Sequence, residues 1–248
     1  MVSGGSKGIG FACAKLLAAE GAKVVICSRS QANLDAALPN LPGATAIAAD
    51  LRSGGEARRI ADKVWDEVGP IDILVNSAGA AKRTPPQDLD AQAWRTAMDD
   101  KYFPYMNLID PTLKKMAARR TGVIINIIGA GGKVASPTHL PGGAANAALM
   151  LATVGLANAY AAQGVRIVGL NPGLTQTERV DEGMKAVAVS QAIDEAEALR
   201  RATDAIPIGR LAAPVEVASV VGFLCSSKAS YVTGVVINMD GAAIPMVV

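Results

Sequence analysis

The stretch SGGSKGIGFACAKLLAAEGAKVVICSRS, residues 3–30, decides how this chain is read. Gly4, Gly8 and Gly10 stand where a short strand would pass into a helix. Glycine there lets the backbone turn tightly and bring its N–H groups, together with the positive end of the following helix, against a pyrophosphate. Turns and linkers use glycine too, so the flanking residues must discriminate. The β-branched run KVVICS (23–28) ends eighteen residues after Gly10, where an acid would ordinarily take a ribose 2′-hydroxyl. Ser28 and Arg29 stand there instead. A hydroxyl and a guanidinium fork can bind a 2′-phosphate that an acid would repel, and Lys7 in the turn adds a second cation. The stretch therefore predicts a site for NADP(H), with NAD(H) disfavoured. Alternatively, Lys7 and Arg29 are two solvated surface charges.

Working outward, apolar strand-like runs recur at 44–50, 71–79, 122–129, 164–173 and 234–241, separated by segments with apolar residues at helical spacing. Strand alternating with helix predicts an α/β fold: one Rossmann-like, doubly wound parallel sheet in three layers, forming a single domain over 1–248. One feature does not fit, since only Met1 and Val2 precede Ser3 and a strand usually needs about five residues. Either the chain as given starts late or the innermost strand is stunted.

Composition narrows the function classes. Half of the 248 residues are apolar, aromatics are few, and the formal charge is +2 without long runs of one sign, which argues against a nucleic-acid surface or a polybasic membrane anchor. Three scattered cysteines lack metal-like spacing, so no metal is expected and a reduced cytoplasmic setting is the simplest reading. No secretory or transit signal is visible at the start. The segment from Val134 to Val165 carries no charged residue, but its Pro, Asn, Gln, His and Gly residues disfavour a membrane span. A helix there without a polar face needs cover on both sides, which predicts a homo-oligomer, dimer or tetramer.

With SGGSKGIG (3–10), NSAG (76–79), LNPGLTQT (170–177) and the closing IPIGRLAAPVEVASVVGFLCSSKASYVTGVVINMDG (206–241), nearly the whole chain resembles the short-chain dehydrogenase/reductase family. The resemblance implies a Rossmann fold of usually seven parallel strands, a nicotinamide dinucleotide and a small carbonyl or alcohol substrate. It assigns the phosphate turn to Gly4, Ser6, Lys7, Gly8, Ile9 and Gly10, and the adenine side to Asp50 and Leu51. Asn76, Ala78 and Gly79 fall under the adenosine ribose, Ile127 joins the cofactor set, and Pro172, Gly173, Leu174, Thr175 and Thr177 hold the nicotinamide end. Residues 178–210 resemble the substrate lid, although the same residues would serve ordinary helix packing.

The departures concern the chemistry. The family's usual Ser, Tyr and Lys fall on Gly129, Gly142 and Asn146, and none of the four tyrosines has a lysine four residues on. His139, the only histidine, is the first candidate for a substitute acid, because it titrates near neutrality and stands three residues before Gly142. Pro141 belongs in a first helical turn, which puts His139 just ahead of the helix; a solvent-exposed loop histidine is the competing reading. Lys101, where the family often carries an Asn, is the second candidate: it restores positive charge lost at Asn146, or else joins a solvated face. Asn146 itself can still bond a ribose hydroxyl. Two functions follow as expectations: an NADP(H)-dependent oxidoreductase with a non-standard active site, or a catalytically inactive NADP(H)-binding sensor or assembly subunit.

Overall fold

A computed structural model describes residues 1–79 and 81–246. It holds one parallel sheet of seven strands in the order β3-β2-β1-β4-β5-β6-β7. The strands are β1 (Val2–Ser3), β2 (Val25–Ser28), β3 (Thr45–Ala48), β4 (Ile73–Asn76), β5 (Gly122–Ile127), β6 (Val165–Pro172) and β7 (Val236–Met239). The expected single α/β domain is borne out. The innermost strand is indeed short: β1 has two residues, yet Val2 pairs with Ile26 on one side and Val75 on the other. Two residues suffice because both faces are covered and Val2 is fully buried.

Alternation along the strands divides the core in two. Val2, Ile26, Val75, Ile125 and Val168 pack toward α1 (Gly8–Ala19), α2 (Gln31–Ala37) and α9 (Pro214–Cys225). Cys27, Leu74, Ile124 and Ile167 pack toward α3 (Gly54–Glu67), α5 (Phe103–Arg119) and α6 (Leu140–Tyr160). The remaining helices are α4 (Ala91–Ala97), α7 (Glu178–Gln191) and α8 (Glu195–Asp204). The strand order steps outward from β1 in both directions, opening a crevice at the carboxyl ends of β1 and β4, where such sheets bind ligands.

The segment Pro137–Gln163 is long and apolar enough to cross a membrane by length and composition. In the fold it is a core helix on one side: Ala145, Leu149, Met150, Thr153 and Ala157 are buried, while Leu151 is 77% and Val154 40% exposed on the other.

Candidate active site

The crevice is a cleft of about 1110 Å³, ample for a dinucleotide. Its floor is the turn between β1 and α1. Gly4 adopts φ +66° and donates its N–H to the Cys27 carbonyl, and a Cβ at Gly4 would lie 2.8 Å from the Ala78 nitrogen. A Cβ at Gly10 would lie 2.3 Å from the Gly4 carbonyl oxygen. Side chains at either position would thus close the turn. The N-cap of α1, Lys7, makes no side-chain cap and no acid occupies the first turn, so the leading N–H groups are left for a ligand and the helix dipole favours an anion there.

Ser28, Arg29 and Asp50 line the far end of the cleft. Asp50 is gripped by the Arg52 guanidinium, whose hydrogen bonds hold its carboxyl below the usual carboxylate range, so it offers no free charge against a phosphate. No hydrogen bond or ion pair engages the Arg29 side chain among the described residues. These residues fit a phosphorylated dinucleotide: an uncapped helix end for the pyrophosphate and a guanidinium with a hydroxyl beside it for a 2′-phosphate. Lys7 is less free than the sequence suggests, because it pairs with Glu178 at 2.9 Å.

A second cluster forms where β5 leaves the sheet and α6 begins. His139 is the N-cap of α6 and Pro141 sits in the first turn, as the sequence predicts. The imidazole lies on Gly142: a Cβ there would be 2.2 Å from His139 Cε1. Its ring also touches Gly131, where an added Cβ would be 3.2 Å from Cδ2. Asn146 is 5% exposed, and its Nδ2 lies 3.5 Å from a Cβ placed on Gly129 or on Gly131. Gly129, Gly131, His139, Gly142 and Asn146 therefore pack together at the end of β5, and none of them lines the cleft. His139 Nδ1 and Asn146 Oδ1 are buried without a hydrogen-bond partner among the described residues. Such atoms are costly unless a ligand completes them.

Lys101 reaches the same end of β5. It is only 7% exposed, which excludes the solvated-face reading. Its ammonium donates to the Tyr105 hydroxyl at 3.1 Å and the Ile127 carbonyl at 3.3 Å, and Tyr105 donates to the same carbonyl. Burial, then Arg179, lowers the Lys101 pKa to about 7. Burial raises that of Tyr105, which stays a neutral hydroxyl. Burial, then the charges of Arg83 and Lys101, lowers that of His139.

A family model described as Enoyl-(Acyl carrier protein) reductase matches residues 4–242. The chain belongs to the short-chain dehydrogenase/reductase family. It is 33% identical over 247 residues to an A-factor type gamma-butyrolactone 1′-reductase of Streptomyces virginiae, covering 97% of this chain and 93% of that protein. A solved structure of an actinorhodin polyketide ketoreductase with NADPH superposes with TM-score 0.94 at 29% identity, covering 98% of this chain and 95% of that one. An NADPH-bound short chain oxidoreductase from Pseudomonas aeruginosa PAO1, described as containing an atypical catalytic center, superposes at TM-score 0.89 and 27% identity, with 99% and 96% covered.

Of the cofactor positions named from the sequence, Gly4, Ser6, Lys7, Gly8, Ile9, Ser28, Arg29, Asp50, Leu51, Ala78, Gly79 and Thr177 line the cleft together. Gly10 supports it from beneath through its contact with Gly4. Asn76 does not reach the cleft: it is buried in a relay in which Ser3 donates to Asn76 at 3.4 Å, Asn76 to Asn126 at 3.0 Å and Asn126 to Thr153 at 2.9 Å. Ile127 packs toward α1 and α9, its carbonyl taken by Lys101 and Tyr105. Pro172, Gly173, Leu174 and Thr175 lead into the rim without lining it, and Thr175 is buried against Gly173. Four contributors escaped the sequence reading: Tyr105, Arg83, Arg179 and Gly131. Only Tyr105 left a signal, since Lys101 and Tyr105 are one helical turn apart, the reverse of the Tyr-to-Lys spacing sought.

Proposed function

We propose that this family member is an NADP(H)-dependent oxidoreductase that interconverts a small carbonyl and its alcohol, with His139 as the proton-transfer group in a non-standard site. The observation that carries this reading is the imidazole resting on Gly142, with a buried nitrogen lacking a partner. Glycine at 142 opens the volume that the ring fills; any Cβ there would expel it. The cleft residues hold the cofactor, which when bound supplies or accepts the hydride. In reduction the imidazolium gives its proton to the carbonyl oxygen, leaving an alcohol and a neutral ring. In oxidation the neutral ring takes the alcohol proton. Burial, then the charges of Arg83 and Lys101, make the imidazolium a stronger acid than free histidine. Asn146 offers a carbonyl oxygen to a ribose or substrate hydroxyl, and residues 178–210 close over the substrate. The exposed outer face of α6 packs on a second copy of the chain, giving a dimer or tetramer.

Titration with NADPH and NADH, then steady-state turnover over a panel of carbonyls, tests the reading. NADPH should bind more tightly than NADH, and some carbonyl should be reduced. His139→Ala and Gly142→Ala should each lower turnover by about 10²- to 10⁴-fold while NADPH binding persists. Turnover surviving in both variants would remove His139 from the mechanism. A protein that binds NADPH but reduces nothing would be the sensor or assembly subunit instead.

A further inference from the structure

The charges that act on His139 and Lys101 are all positive. Arg83 is exposed and anchored beside His139, its Nη1 donating to Thr138 at 3.2 Å, with no other hydrogen bond on its guanidinium among the described residues. Lys101 stands behind the end of β5, and Arg179, held on the Gly79 carbonyl at 3.5 Å, faces it from the lid side. Lys133, on the glycine turn packed against α6, has its ammonium buried with no hydrogen-bond partner among the described residues. The charges that act on Lys101 and His139 come from Arg179, Arg83 and Lys101, and no carboxylate is among them. Acids at the adjoining cleft are engaged elsewhere: Asp50 and Asp100 with Arg52, and Glu178 with Lys7. Asp181 and Glu182 on α7 are exposed. Lys101 and the Lys133 ammonium are buried while Arg83 and Arg179 are exposed beside them; buried cations without a counter-ion raise the folding cost of the site, and an anionic ligand offsets that cost.

Resting on the oxidoreductase reading, we propose that the substrate carries a carboxylate next to its carbonyl, as an oxo acid does, and that Arg83 is the residue that grips it. A guanidinium fork matches the two oxygens of a carboxylate, while Lys101 and Lys133 add field without direct geometry of that kind. Arg83 lies outside the residues that line the nucleotide cleft, so its contribution is separable from cofactor binding. Lid closure would then bring Arg179 over the same anion.

The test uses NADPH-loaded protein and a panel of aliphatic and aromatic 2-oxo and 3-oxo acids, each paired with its neutral methyl ester. The readout is the ratio of kcat/KM, acid over ester, alongside NADPH affinity measured separately. An acid preference of about tenfold or more is expected, the scale of one charge-assisted contact. It should shrink as salt is raised and largely disappear in Arg83→Gln, with NADPH affinity unchanged. Esters reduced as well as their acids, no acid in the panel reacting, or equal losses for acids and esters in Arg83→Gln would each overturn the carboxylate assignment while leaving the oxidoreductase reading standing if another carbonyl is turned over. Failure to bind NADPH would overturn both.

Discussion

At the scale of single residues, glycine makes the room on which the proposed chemistry depends. The space that a side chain at Gly142 would need is filled by His139, and Gly129 and Gly131 leave room for the Asn146 amide. Because the His139 pKa is lowered, first by burial and then by Arg83 and Lys101, its acid form persists only below the ordinary histidine value. Reductive kcat/KM should therefore be highest at acidic pH and fall as pH rises through that lowered pKa, with the oxidative direction rising over the same interval. Arg83→Gln removes one of the opposing charges and should move the limb to higher pH; an unmoved limb would assign the titration to another group. Lys101 carries a stability consequence of its own. Its pKa falls from 10.5 to about 7 on folding, so between those values the unfolded chain binds more protons. Stability contributed by this group thus rises with pH across that window, and below about 7 the whole cost of burying the charge is present. Lys101→Met should flatten this slope in pH-dependent melting and raise Tm near neutral pH, each kcal/mol recovered being worth about 2–4 °C in a domain of this size. A lower Tm near neutral pH would show that the bonds to Tyr105 and Ile127 outweigh the buried charge.

Among elements, the helix ends matter most. The uncapped start of α1 presents N–H groups and a positive dipole to the cleft only because Gly10 lets α1 pack on Gly4. Gly10→Ala would force a 2.3 Å contact apart. We expect loss of NADPH binding by calorimetry, accompanied by a lowered Tm, whereas retained affinity would mean that the turn tolerates a shifted helix. The start of α6 does a different job, fixing His139 at its N-cap with Pro141 setting the first turn. The run from α4 into α5 passes through a π-helical stretch, Met98–Tyr102, which carries Lys101 inward. A wide turn of this kind often marks a functional site and departs from the regular spacing by which a helix face is read. Burial of Lys101 was illegible in the sequence for that reason, even though the Lys101–Tyr105 spacing was in plain view.

For the whole molecule, the outward side of α6 sets the association expected in solution. Leu151 is 77% exposed on a helix without charged residues, with Ala147, Ala148, Val154 and Gly155 one turn away on either side. Placing a charge there in Leu151→Glu should convert the oligomer to a monomer in sedimentation velocity, and an unchanged sedimentation coefficient would place the contact on another face. The alternation of strand and helix, the glycine turn and the absence of an acid after β2 are local patterns, so the sequence by itself determined the doubly wound sheet and supplied the grounds on which the place of the nucleotide and its 2′-phosphate are proposed. That the innermost strand needs only two residues was a tertiary matter, because pairing on both edges and cover on both faces supply what length does not. The same holds for the proposed proton-transfer cluster. Arg83, Lys101, His139 and Asn146 are dispersed over the chain, and their convergence depends on the distances between β5, α5, α6 and the loop after β4, which no local pattern encodes.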